Sequence, residues 1–183
     1  MIKRLKPKSE FSRNVLTLMT GTTIAQAIPI AISPILTRIY TPEDFGLFAL
    51  FLAITTIIGS IANGRYELAI MLPEKDEDAI NISALGFIIS SFISFILLIL
   101  VFFFNDYFVN IIGNEEIGFW LYFVPITVFL IGLWNVLNYF NNRKKNYKDL
   151  RNATILKSIV LASINLSVGL VKNGVTGLIS GEI

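Results

Sequence analysis

An all-helical bundle that crosses a membrane several times is the fold class predicted for this chain, and three features of the sequence predict it. Of 183 residues, 54% are hydrophobic and only 15% are charged, against about 25% charged in an ordinary soluble domain. The charges gather in short blocks, leaving residues 14–37, 45–64, 82–104 and 117–142 without a single Asp, Glu, Lys or Arg. A predominantly apolar run of about 18 residues or more is long enough, at 1.5 Å per residue, to cross a ~30 Å hydrocarbon core. The third feature is the absence of a polar face. Between residues 82 and 104 the polar side chains are Ser83, Ser90, Ser91 and Ser94, and a helix apolar all round is buried in lipid or deep in protein. With four such runs, too little polar chain is left to surround them in water.

The spans follow in order. The first is predicted over residues 14–37, the second over 45–64, the third over 80–104 and the fourth over 117–141. A fifth covers 153–171, interrupted by Lys157 near its start. A sixth begins at residue 173 and reaches the last residue, 183, so the chain reads as five complete spans plus the start of another, a fragment of a longer bundle. The first run is longer than the apolar core of a secretory signal, contains Gln26, Pro29 and Pro34, and closes on no small-residue cleavage site. Residues 1–13 form a basic head with Lys3, Arg4, Lys6, Lys8 and Arg13. On that same side fall Arg65 and Lys75, then Arg143, Lys144, Lys145, Lys148, Arg151 and Lys157. Only Arg38 and Lys172 fall on the other. Thirteen cations against two predict a cytoplasmic N-terminus by the positive-inside rule.

Composition also excludes. There is no Cys and no His, which removes thiolate nucleophiles, imidazole bases, disulfides and Cys/His metal sites. No Gly-rich phosphate loop or nucleophile–base pair appears; no catalytic residue, metal or cofactor is expected, and the chain does not read as an enzyme. The acidic residues Glu74, Asp76, Glu77 and Asp78 read as a solvated helix start.

Several residues are candidates for function, each with a plainer alternative. Gly21, Pro29 and Pro34 in the first span suggest either a bend that moves during transport or close packing around small residues. Gln26 and Asn63 are uncharged polar groups inside spans; they suit interhelical hydrogen bonds or substrate. Arg65 and Glu67 are two apart and would not face each other on one helix. The Arg65 guanidinium suits a phosphate or an interfacial anchor. Arg38 lies on the side the charge rule disfavours, and a local ion pair with Glu43 or Asp44 is preferred over an anionic substrate. Lys157 is expected to snorkel to the interface, unless it turns inward, where it would meet an anionic ligand. The basic loop around Arg143–Lys148 sets orientation and meets anionic membrane lipid; nucleic acid is not expected as a partner.

Three stretches carry a family resemblance: Pro34-Ile-Leu-Thr-Arg-Ile-Tyr-Thr-Pro-Glu-Asp-Phe-Gly-Leu-Phe48; Gly64-Arg-Tyr-Glu-Leu-Ala-Ile-Met-Leu-Pro73 with the mixed charges leading to Ala79; and Asn142-Arg-Lys-Lys-Asn-Tyr-Lys148 with Gly177-Leu-Ile-Ser-Gly181. Together they resemble the polysaccharide biosynthesis, or Wzx-type, branch of the multidrug/oligosaccharidyl-lipid/polysaccharide exporter superfamily. The resemblance implies two pseudo-symmetric bundles of about six helices around a central cavity, this chain supplying the first and lacking the second. It implies a bacterial inner-membrane flippase that moves undecaprenyl-diphosphate-linked oligosaccharide by alternating access, for O-antigen (lipopolysaccharide), capsule or exopolysaccharide. Contact with other membrane proteins of polysaccharide assembly is a further implication. On that basis Arg38 and Arg65 fall in family-like motifs as binders of the diphosphate or acidic sugar, with Lys157 as a looser third. The competing readings are a drug or cation antiporter of the same superfamily, which predicts carboxylates in the first span, and an inactive truncated remnant.

Overall fold

The computed structural model describes residues 10–171 and 174–183, with side chains from Ser12 onward. The basic residues Lys3, Arg4, Lys6 and Lys8, and Lys172 and Asn173 at the expected start of the sixth span, lie outside the described residues. Helices α1 (Glu10–Ile39), α2 (Pro42–Gly59), α3 (Asp76–Ile112), α4 (Ile117–Leu121), α5 (Val124–Arg143), α6 (Tyr147–Val171) and α7 (Thr176–Glu182) follow in order, with a 3-10 helix, Tyr66–Met71, between α2 and α3. No strand occurs among the described residues. Five of the helices are long and apolar enough to cross a membrane. Their outer surfaces are apolar too: Phe92, Phe95, Phe102, Phe103 and Leu170 are all exposed, a surface that suits lipid and not water.

Two layers form. In one, α1 lies along α6, and α6 packs on α7; in the other, α3 lies along α5, with α2 and the 3-10 segment on α5. The seam of α1 is Gly21, Ala25, Ile28, Ile32 and Leu36, spaced by three and four residues and shielded, with Ser12, Asn14, Thr17, Leu18 and Ile39 half-buried toward the helix ends. Gly21 is needed there because a Cβ would meet Arg151 Cγ of α6 at 2.5 Å. That is the close approach of the packing reading. Pro29 and Pro34 are exposed, off that seam, within a helix that runs unbroken to Ile39. Non-helical backbone lies instead in α3, at Phe104 (φ −121°, ψ 19°), where Asn105 Nδ2 donates to Gly118 O at 2.8 Å and ties the end of α3 to α4.

Several predicted boundaries move, and the third span, expected over 80–104, is α3 at Asp76–Ile112. The second span ends at Gly59, not 64: from there the chain runs in tight turns closed by Ile61 N to Ile58 O, Ala62 N to Gly59 O and Gly64 N to Ile61 O, and left-handed backbone at Gly64 and Arg65 (φ 57° and 63°) then leads into the 3-10 helix. The fourth span, expected unbroken over 117–141, divides at Tyr122–Phe123, with Pro125 in the first turn of α5. There the missing Pro N–H costs nothing. α6 starts at Tyr147, six residues before the expected 153.

Two devices lock the layers. Tyr40, in the α1–α2 link, donates to Asn165 O at 2.7 Å. Its hydroxyl occupies the space a side chain at Gly169 or Gly177 would need, so it binds the link to α6 and α7. Burial, reinforced by the Asp44 carboxylate, pushes the Tyr40 phenol above its ordinary pKa and keeps it a neutral donor. At the opposite end, Arg143 Nη1 donates to Ile70 O at 3.2 Å and its Nε pairs with Asp76 at 3.3 Å, while Lys144 pairs with the other oxygen of Asp76.

Candidate functional site

The sequence candidates separate into three groups once their surroundings are seen. Asn63 is fully buried, and its Nδ2 lies 3.2 Å from Gly86 O, 2.6 Å from Ser90 Oγ and 3.1 Å from Gly132 O. These partners come from α3 and α5, so Asn63 joins three segments at one point. The junction is tight: a Cβ at Gly132 would lie 2.3 Å from Ser90 Oγ. Asn63 Nδ2 therefore makes an interhelical link, while Asn63 Oδ1 is buried with no hydrogen-bond partner among the described residues. Gln26 is exposed on α1 and makes no side-chain hydrogen bond among the described residues.

Arg38 and Arg65 behave differently from expectation. The local ion pair preferred for Arg38 is not made among the described residues. Asp44 is occupied as a helix cap: its Oδ2 accepts from Thr41 N at 2.9 Å, and its own N–H donates to Thr41 Oγ at 3.2 Å, the reciprocal capping box of α2. Arg38 is left exposed at the end of α1. Arg65 does meet Glu67, against the helical spacing argument, because neither sits in an α-helix. Left-handed backbone at Arg65 and the 3-10 turn bring Nη1 to 3.9 Å from Glu67 Oε1. The guanidinium is mostly exposed, while Glu67 is buried and its Oε2 has no partner among the described residues.

Lys157 is the candidate that joins a site. It lies four residues past Ala153 in the apolar part of α6, roughly 6 Å along at 1.5 Å per residue. It does not simply snorkel. Its Nζ lies 3.8 Å from Glu182 Oε1 of α7 and 5.8 Å from the centroid of the Trp134 ring of α5, within cation–π range. Two cavities of about 370 and 380 Å³ flank this group, and Trp134, Lys157, Glu182 and Ile183 line both. A third, of about 170 Å³, continues from Trp134 along α5 past Asn138 and Asn141 to Asp149 at the start of α6. The polar groups thus stand in a groove between α5 and α6, which touch only lightly, with α7 filling one end. Each of the larger cavities is of the size that takes a small ligand.

Chemically the group offers an ammonium for an anion, a carboxylate that accepts from hydroxyls, and a flat indole face. Ionisable side chains inside a membrane segment typically pair with one another or face a cavity; Lys157 and Glu182 pair and line two cavities. Sequence reading missed Glu182 and Trp134. Glu182 had one signal, a lone carboxylate closing the apolar 176–183 segment; Trp134 had none beyond its type. No ion pair links Arg38, Arg65 and Lys157 among the described residues.

A family model described as polysaccharide biosynthesis protein matches residues 35–183. No curated protein and no solved structure matches the chain. The match spans well over half of the sequence and takes in α2 to α7 with the Trp134–Lys157–Glu182 group. Together with five membrane-length helices it establishes a multi-pass membrane protein that belongs to the polysaccharide biosynthesis protein family.

Proposed function

We propose that the protein is a transporter, not an enzyme, and that it takes part in flipping polyprenyl-diphosphate-linked oligosaccharide across the bacterial inner membrane. The observation that carries this reading is the Lys157–Glu182 pair beside Trp134 in a cavity-lined groove inside the apolar layer. A charged headgroup faces a large cost in hydrocarbon. Fixed charge in a hydrated groove offsets it, while the prenyl tail stays in lipid. In this reading the Lys157 ammonium exchanges the Glu182 carboxylate for a phosphate oxygen, and the freed carboxylate accepts from sugar hydroxyls over the Trp134 face. Arg65 on the expected cytoplasmic side and Arg38 on the far side serve loading and release. A rocking motion against a second bundle would expose the groove to each side in turn.

The test is export of surface polysaccharide in a strain deleted for the native gene and complemented with the full-length gene. Lys157→Met and Glu182→Gln, at membrane levels matched to wild type, are expected to cut export by about tenfold or more. Unchanged export in both variants overturns the assignment. A second reading, export of organic cations, is favoured by one observation, the Glu182 carboxylate inside the apolar layer. It predicts that Glu182→Gln abolishes ethidium efflux while Lys157→Met improves it.

A further inference from the structure

The cations of the α5–α6 loop are not equivalent. Arg143 and Lys144 are both engaged by Asp76. Lys145 and Lys148, one and four residues further on, make no ion pair among the described residues. They line a cleft of about 430 Å³ together with Arg13, Asn14 and Thr17 of α1. Arg13 is likewise unpaired among the described residues, and Asn14 is half-buried with no side-chain hydrogen bond there. The cleft is closed by two segments about 130 residues apart in the chain, so it is a product of the α1–α6 packing and not of local sequence. Lys145 is held in left-handed backbone (φ 56°), and Lys145 N and Asn146 N both bond back to α5, at Asn142 O and Asn141 O. This turn starts α6 at the cleft edge, and the amino end of a 25-residue helix carries a partial positive charge. Asp149 is the one carboxylate in the lining. Against Arg13, Lys145 and Lys148 it leaves a net charge of two positives.

From this convergence we infer that the cleft is a binding site for a phosphate group at headgroup depth, supplied by an anionic phospholipid of the cytoplasmic leaflet. The charge distribution puts this end of the bundle on the inside, where anionic headgroups attract basic segments. A free phosphate has the same chemistry but no tail; the lipid source follows because α1 and α6 continue from the cleft as apolar, lipid-facing helices, with Leu16, Met19 and Leu156 exposed. The inference does not rest on flippase activity, only on the membrane orientation.

The experiment places the full-length protein in nanodiscs of phosphatidylcholine with one-fifth phosphatidylglycerol and counts retained phosphatidylglycerol by native mass spectrometry. Lys145→Gln/Lys148→Gln is compared with Lys75→Gln/Lys144→Gln, which removes the same charge from the same end outside the cleft. The site predicts that the first double variant loses a retained phosphatidylglycerol, with at least a fivefold fall in occupancy, and the second keeps it. Equal losses in both variants would reduce the effect to general surface charge and overturn the site. Millimolar inorganic phosphate is the second arm. If it displaces the lipid completely from wild type, the cleft takes free phosphate and the lipid assignment is wrong; retention of the lipid supports it. Unchanged polysaccharide export in the Lys145→Gln/Lys148→Gln variant leaves the lipid site standing, so the two proposals fail separately.

Discussion

Asn63 and Lys157 are both polar groups set in apolar helices, and they have opposite surroundings. Asn63 is sealed, with three acceptors within 3.2 Å of its nitrogen and a glycine on α5 whose missing side chain makes the fit. Lys157 has one carboxylate at 3.8 Å, an indole, and open space on both sides. A polar group whose nitrogen is shared among protein acceptors, in a space with no room, holds helices together, even with the Asn63 oxygen left without a partner among the described residues. One with a single exchangeable partner and adjacent volume is available to a ligand. Residue type favours a snorkelling anchor for the charged group and an interhelical hydrogen bond for the amide; the surroundings agree for the amide and add a carboxylate partner and open volume to the charged group.

The contrast breaks first at the sealed end. Asn63→Ala removes the links to α3 and α5 and is expected to destabilise the protein by about 2 kcal/mol, taking interhelical hydrogen bonds at about 0.6–1.7 kcal/mol each. Gly132→Ala forces a side chain against Ser90 and is expected to cost about 1–3 kcal/mol. Both should appear as lower midpoints in detergent unfolding. Export per folded molecule should stay near wild type, and a selective loss of export with normal stability would move Asn63 into the site. The open end gives the converse. Exchanging the pair, as Lys157→Glu/Glu182→Lys, keeps both charges and should restore any stability the single changes lose. It moves the ammonium from α6 to α7, so export is expected to remain down by about tenfold, which is 1.4 kcal/mol. Full recovery of export by the exchange would make the pair a structural bridge.

Most of the architecture is legible in the chain because hydrocarbon thickness imposes a length on apolar runs, and charge blocks punctuate them. Charge-free runs mark α1, α2, α3 and α5, and the stretch broken by Lys157 marks α6. The ends are less legible, since local backbone decides them. α2 gives way to three-residue turns after Gly59, α5 starts late because Pro125 belongs in a first turn, and the break at Phe104 has neither Pro nor Gly to announce it. The site is legible only in part. Lys157 stands out as a lone cation in an apolar helix, but Trp134 and Glu182 are 23 residues before it and 25 after it, and only packing brings them together. Arg38 has the opposite history: its two nearest carboxylates suggest a pair, yet one of them is already engaged by the Thr41 cap.

Arg65 tests the contrast at its weakest point, because it belongs to neither type. Its guanidinium is exposed like Lys157, but Glu67, which it pairs with at 3.9 Å, is buried. A long pair with one partner largely in solvent is expected to contribute less than about 1 kcal/mol, so Arg65→Ala and Arg65→Lys should both unfold near the wild-type midpoint. The two differ in chemistry, since only the guanidinium presents a planar fork to phosphate oxygens. If Arg65 loads a diphosphate through that fork, both variants should lower export by a similar two- to threefold, about 0.5 kcal/mol on the scale of 1.4 kcal/mol per tenfold. If Lys at this position restores export fully, a point charge suffices and Arg65 only draws the headgroup toward the bundle. If both variants export normally but unfold early, Arg65 serves Glu67, and cargo contact falls to Lys157 and Arg38.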